Sequence, residues 1–544
     1  GGSVRLFGGR TYDSFNPYII KGAPTTAASL HVWESLMEPS LDEGSTHYGL
    51  LAEWMERGPE DAWVAFRLRE EARFHDGRQV GVADVLKSFE LLTTQARPFF
   101  ASYYANVERA VDEGDRVVRF FFDQTGNREL PHIMGQLAVL PAHYWEARDF
   151  RDATLEPPLG SGPYRIGAFD AGRYVELERV PEYWGAELPV RIGANNFDTL
   201  RYEFFLDNNA ALEAFKKGDL DFRRENSALN WAEKYEFPAV AAGDVLKREV
   251  ALEGPKAVQG FVFNLRRAKF ADRRVREALS LAFDFEFTNK SIFFQQYARP
   301  NSYFQGSADL MAGGPPTGAE LALLEPFRAD LPAELFEKAF AYPQTSGDGR
   351  IRGQLRRARN LLRSAGLEIR DGALFTPQGE RFTLEFLIAS AAQERVIGPF
   401  LKNLEVLGVE SIVRLIDIPQ YVRRLNTYDF DMIVNGWRNS DSPGNEQRDF
   451  WSAATAEQEG GRNRGGVAMP VLDALIEKIV FAEDRAALAA ACRALDRVLL
   501  WEHVSILQLY TPFERVAHWA RLQAPDPLPS REIGFPEIWW SAEA

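Results

Sequence analysis

Between Asn435 and Trp451 the chain reads NGWRNSDSPGNEQRDFW. Two tryptophans, two arginines and three acids fall within that segment. These residue types suit reversible recognition of a charged small molecule. An indole such as Trp437 can pack against an apolar or ring-shaped part of a ligand. Asp441 or Glu446 can pair with an ammonium group. Arg438 or Arg448 can bond two oxygens of a carboxylate or phosphate at once, because the guanidinium is a planar fork. Asn445 and the backbone around Gly444 can meet amides. In the following turn, GRNRGG (461–466), Arg462 and Asn463 can close the same site. The plainer alternative is that arginines and acids of this loop bond each other and only hold its shape, since ion pairs within one loop are common and weak.

Covalent chemistry has little support. A nucleophile with its base, a metal site or a cofactor loop would be needed, and the sequence contains no GxSxG, no P-loop and no GxGxxG opening a helix. Gly160-Ser161-Gly162-Pro163 resembles a nucleophile elbow only superficially, because proline follows and no helix begins there. Glu70 and Glu71 are adjacent, so in a strand they point apart. The seven histidines show no HExxH spacing, and the single cysteine, Cys492, sits in an apolar helix pattern that reads as core. No metal, cofactor or catalytic residue is expected. Two unplaced carboxylates acting on a glycoside remain an open alternative.

The elements that must position the loop are legible from periodicity. Phe382, Leu384, Phe386 and Ile388 alternate as a strand. Val396, Phe400, Leu404 and Leu407 form a helix that Gly408 ends. Residues 412–416 read as a strand, Pro419 suits a helix start, and 421–426 is the helix. Residues 430–434 form a third strand, which leads directly into Trp437. This β-α-β-α-β run predicts an open, mostly parallel sheet, and ligands of such sheets bind beyond the carboxyl ends of the strands. Earlier in the chain, residues 4–9, 63–68, 117–122, 173–180 and 200–206 read as strands. Residues 210–217 form a helix that Asp207 or Asn208 can cap and Gly218 can end. With the strand opening at Leu220, that makes a βαβ unit whose two strands lie parallel.

The length of 544 residues allows several domains, and 45% hydrophobic and 26% charged residues are ordinary for a globular chain. Lys+Arg 63 against Asp+Glu 78 gives −15, which argues against a nucleic-acid partner. No run is long and apolar enough for a membrane helix. The chain begins at Gly1 without the charged-then-apolar start of a signal peptide.

Several segments, in order, resemble the family 5 extracellular solute-binding proteins of ABC importers. SFNPY (14–18) is similar to the family's "LNPY". Residues 50–90 carry its "LAE-W", "ARFHDG" and "ADV-SFE" elements. GSGPYRI (160–166) resembles "GTGPY", VPEYWG (180–185) resembles "N-YWG", and FNLRRAKFADRRVREALSLAFD (263–284) resembles "N-PPF-D-RVRQAL-AID". SPGNEQRDFWSA (442–453) and GRNRGG look most like the YejA-like branch.

The resemblance implies an α/β, two-lobed periplasmic binding protein-like fold of class II, with an extra domain, mixed sheets and a hinge. Domain I would combine 1–41, 160–255 and 503–544, domain II would be 42–159, and domain III 256–502. Crossing strands would lie near 259–264 and 505–510. It implies a monomeric periplasmic receptor without enzymatic activity. Its ligand would be a peptide or peptide-containing compound, such as an oligopeptide, a murein-derived peptide or a microcin C-like conjugate. That ligand would sit in a cleft between the lobes and pass to membrane permease subunits. A sugar or nickel chelate is the alternative ligand. Peptide receptors of the family carry an aspartate just after a Gly-Trp pair. Here Gly436-Trp437 is followed by Arg438-Asn439-Ser440, so either Asp441 or Glu446 would take that role.

Overall fold

The computed structural model describes residues 1–9, 11–25, 27 and 31–542. The chain divides into two compact units. One is Gly1–Glu253 with Phe513–Ala544, and the other is Gly254–Pro512.

The first unit holds a seven-stranded mixed sheet. Its strands run in the order Val245–Val250, Glu514–Trp519, Phe222–Arg224, Ser3–Gly9, Thr199–Phe204, Tyr174–Arg179 and Tyr164–Asp170. In Ser3–Gly9, Val4 and Leu6 point into the core, and in Thr199–Phe204 every second residue is buried, the period of two that a strand requires. Asp207 Oδ1 accepts from the N–H groups of Asn209 (2.8 Å) and Ala210 (2.9 Å), which starts the helix Asn208–Lys217. Gly218, at φ +81°, ends it. The strands on either side of this helix are parallel, as the βαβ reading requires. They are not neighbours, because Ser3–Gly9 lies between them and pairs with both. A separate antiparallel sheet of four strands, Ala52–Arg57, Trp63–Leu68, Val117–Phe122 and Val107–Asp112, backs onto the helix Val82–Thr94.

The second unit is built on a five-stranded sheet in the order Glu410–Leu415, Thr383–Ile388, Met432–Trp437, Val258–Phe263 and Ser505–Tyr510. Thr383–Ile388 is parallel to both of its neighbours, joined through the helices Ala391–Val406 and Ile418–Asn426. Asp417 caps the second helix by accepting from Gln420 N–H at 2.9 Å. Gly408, at φ +81°, makes the turn after the first, where a Cβ would lie 2.8 Å from Leu374 N. Val258–Phe263 runs antiparallel to the strands on both sides of it. The sheet is therefore mixed, with the predicted parallel run at one side. Behind it, the helix Arg485–Trp501 is buried along most of its length, Cys492 included.

Candidate functional site

The segment that follows the Met432–Trp437 strand is organised by aromatic stacking. Trp437, the last residue of the strand, is only 3% exposed. Its ring stacks on Trp451 with centroids 5.6 Å apart and planes 22° apart. Tyr303 stands edge-on to both, at 5.2 and 5.1 Å. Each such pair contributes about 0.5–1.5 kcal/mol beyond its area burial. Trp437 therefore anchors both ends of the loop to the core of the second unit.

Amide hydrogen bonds continue from this cluster. Asn439 donates to the Tyr303 carbonyl at 2.8 Å and accepts from Gln447 Nε2 at 2.7 Å. The Gln447 amide also donates to Glu446 Oε1 at 3.1 Å. Both Glu446 oxygens accept from the Gly444 N–H at 3.1 Å. Burial raises the Glu446 carboxyl above its ordinary range, and these donors, with the charge of Arg462, only partly oppose that. Among the described residues no ion pair within 4.0 Å engages Glu446. It starts the short helix Glu446–Trp451.

The other residues singled out in the sequence fall into two groups. Three charged or amide side chains are engaged inside the protein. Arg448 forks onto Glu477, with both bonds at 2.8 Å, and its third nitrogen is 3.4 Å from Asn445 Oδ1. Arg462 lies over the Phe450 ring, 4.2 Å from its centroid, with Nε 3.5 Å from Asp449. Asn463 is buried, donates to Ser452 O (3.0 Å) and Val467 O (2.8 Å), and accepts from Val467 N–H at 2.8 Å. Asn445 is fully buried ahead of the helix. By contrast, Arg438 is exposed, and Asp441 is part-exposed with its main-chain carbonyl accepting from Arg485.

Asp449 was not among the residues that the spacing suggested. It is fully buried, and its carboxylate faces the backbone N–H and the guanidinium of Arg462. Burial raises its pKa, opposed by Arg462 and Arg464. The only sequence signal is an acid wedged between Arg448 and the pair Phe450-Trp451.

Gly160-Ser161-Gly162 has a packing role. A Cβ on Gly160 would lie 1.9 Å from Val32 O, and one on Gly162 2.3 Å from His31 O. Ser161 is fully buried, with its hydroxyl accepting from Glu34 N–H at 3.3 Å. The glycines let two backbone segments meet, and the serine is not displayed for attack.

Comparison with known proteins agrees with this architecture. A family model described as bacterial extracellular solute-binding proteins, family 5 Middle, matches residues 47–459. A probable peptide-binding protein, YejA, from Agrobacterium fabrum (strain C58) is 40% identical over 100% of this chain and 90% of that protein. A peptidoglycan-binding protein, YepA, from the same organism is 37% identical over 98% of this chain and 89% of that protein. The oligopeptide-binding protein AppA of Bacillus subtilis, solved with a nonapeptide, superimposes with a TM-score of 0.77 at 18% identity, covering 99% of each chain. At that identity the likeness establishes the fold.

Proposed function

Because the chain belongs to the family 5 bacterial extracellular solute-binding proteins, we propose that it is the periplasmic receptor of an ABC importer and that its ligand is a peptide or peptide-containing compound. The observation that carries this reading is Glu446. It is a part-buried carboxylate held by neutral amides, and Arg462 acts on it only from a distance, without an ion pair. A carboxylate in that setting gains most from a cation supplied by a ligand, and the α-ammonium of a peptide is such a cation. Exposed Arg438 lies in the same loop, at the carboxyl ends of the parallel strands, where open α/β sheets bind ligands. The names of the two Agrobacterium relatives favour a peptide of free or cell-wall origin.

In this role the protein binds without turnover and hands its ligand to membrane permease subunits. The test is thermal unfolding of the protein with free oligopeptides, murein-derived peptides and a peptide–nucleotide conjugate, followed by mass spectrometry of each compound. The reading expects at least one class to raise the unfolding temperature and to be recovered intact. No shift with any class, or recovery of cleaved peptide, contradicts it.

A further inference from the structure

A cavity of about 390 Å³ lies wholly within the first unit. That volume falls in the range of small-molecule sites. One wall is aromatic. The Tyr18 ring stands 5.7 Å from Trp33 and 5.6 Å from Phe100, centroid to centroid, and Tyr104 adds a fourth ring to the lining. Tyr18 is 8% exposed and Tyr104 is 3% exposed. Among the described residues neither phenol hydroxyl has a hydrogen-bond partner, and burial pushes the pKa of both up, so both stay neutral. A buried hydroxyl without a partner is costly, and a polar ligand group in the cavity would relieve that cost. Arg97 and Gln136 also line the cavity and are exposed, so it communicates with solvent.

The charged part of the lining is acidic on balance. Glu34 and Glu38 share Arg191, whose Nη2 reaches Glu34 at 2.8 Å and whose fork meets Glu38 at 2.9 and 3.0 Å. The Tyr183 hydroxyl also donates to Glu34. Glu537 is the third carboxylate. Among the described residues no hydrogen bond and no ion pair within 4.0 Å engages its side chain. Burial raises its pKa, and Arg191 and Arg224 oppose that only from a distance. Its backbone is held in place, because its carbonyl accepts from Asn195 N–H at 2.6 Å and Trp539, two residues on, is fully buried. Arg97 donates to the Pro17 carbonyl at 2.7 Å. His31 is neutral, since burial and the charge of Arg191 lower its pKa to about 4. Three carboxylates thus face two guanidiniums, one of which is committed to Glu34 and Glu38.

We propose that this cavity binds a small organic ammonium ion, with its charged head at Glu537 and its apolar stem against the rings of Tyr18, Trp33 and Phe100. Aromatic faces attract a cation, and a carboxylate completes the pair. The two phenol oxygens can accept further ammonium hydrogens. A neutral polyol would leave the Glu537 charge unpaired, and an anion would meet it head on. The inference stands on residues other than the Glu446 loop and does not depend on the peptide-receptor reading. The ammonium belongs either to a free amine or to a basic side chain of a larger ligand, since both present the same head on an alkyl stem.

The experiment is ligand-observed NMR titration of the intact protein with n-butylamine and with n-butanol at neutral pH, for the parent, Glu537→Gln and Tyr104→Phe. Thermal melts of all three report any loss of fold. The parent should bind the amine about tenfold or more tighter than the alcohol. Glu537→Gln should lose that preference, and Tyr104→Phe should bind the amine about threefold or more weakly than the parent. An amine that binds no tighter than the alcohol overturns the inference. So does a preference that survives in Glu537→Gln, and its loss in Glu446→Gln would then place the amine at the other acid. Should Glu537→Gln fail to fold, unchanged amine affinity in Tyr104→Phe overturns it. A lysine-containing tripeptide that the parent prefers to its norleucine counterpart, and that Glu537→Gln does not, identifies a side chain as the source. Equal binding of the two tripeptides beside the amine preference identifies a free amine.

Discussion

Glu446 and Arg448 stand two positions apart in one helical turn and do not pair. Side chains at that spacing leave a helix in different directions. Arg448 turns to Glu477, on the helix Pro470–Val480, and Glu446 turns to Gly444 and Gln447. Among the described residues Glu446 thus makes no ion pair within 4.0 Å, and Arg462 acts on it only from a distance. Glu446→Gln should weaken binding of peptides with a free amino terminus by about tenfold or more, because a charge-assisted bond is lost. N-acetylated peptides should bind parent and variant alike. Titration of both peptide forms checks this, and equal loss for the two would remove the ammonium role.

Arg448→Ala should do much less. Glu477 is half exposed, so this pair contributes up to about 1 kcal/mol to stability and nothing directly to the ligand. Peptide affinity within about twofold of the parent, beside a small drop in unfolding temperature, is the expected result. A large loss of affinity at unchanged stability would place Arg448 in the site.

Trp437 and Trp451 should behave as core residues as much as ligand contacts. Either Trp→Ala change removes a stacked, buried ring and should cost about 3–5 kcal/mol. Thermal melts without ligand check this. A variant that melts like the parent would mean that the stack does not anchor the loop.

Gly162→Ala should be far more damaging than Ser161→Ala. The new Cβ would meet His31 O at 2.3 Å, a backbone atom that cannot step aside. Loss of the Ser161 hydroxyl removes one hydrogen bond, at about 1 kcal/mol. Expression and melting of the two variants decide the matter, and a tolerated Gly162→Ala would contradict the close approach.

His503 supplies a pH dependence. Burial, with Arg273, Arg276 and Arg357 nearby, lowers its pKa to about 3. The unfolded chain, titrating near 6.5, then binds a proton that the folded chain refuses. Stability from the neutral ring is complete above about pH 6.5 and is lost as pH falls toward 3, by up to about 1.4 kcal/mol per pH unit. His503→Asn, which suits the backbone φ of +49°, should flatten this acid limb in melts between pH 7 and 4. An unchanged limb would assign the effect to other groups.

The sequence was most readable where one face of an element is buried and the period is clean. Thr383–Ile388 and Ala391–Val406 carry such buried positions, whereas Glu410–Leu415 and Ile418–Asn426 bury none fully and were read from period and turn residues; all lie within two or three residues of their predicted bounds, apart from the helix Ala391–Val406, which begins earlier. The strand leading to the loop extends to Trp437 and not Val434, because Asn435, Gly436 and Trp437 pair with residues 258–260, a partner that periodicity does not reveal. The direction of Val258–Phe263 was equally hidden, since the residue types of a single strand carry no orientation. In the loop, residue types announced the chemistry but not the partners. Arg448, Arg462 and Asn463 look like ligand contacts in sequence. Glu477, Asp449, Ser452 and Val467 engage them in the fold.

The most direct test of peptide capture is calorimetric titration of the purified protein with a defined set of tri- to pentapeptides and murein-derived peptides, with mass spectrometry of the peptide afterwards. The account predicts saturable one-to-one binding of at least one peptide, which is then recovered intact. No binding by any member of the set, or a peptide that returns cleaved, would contradict it.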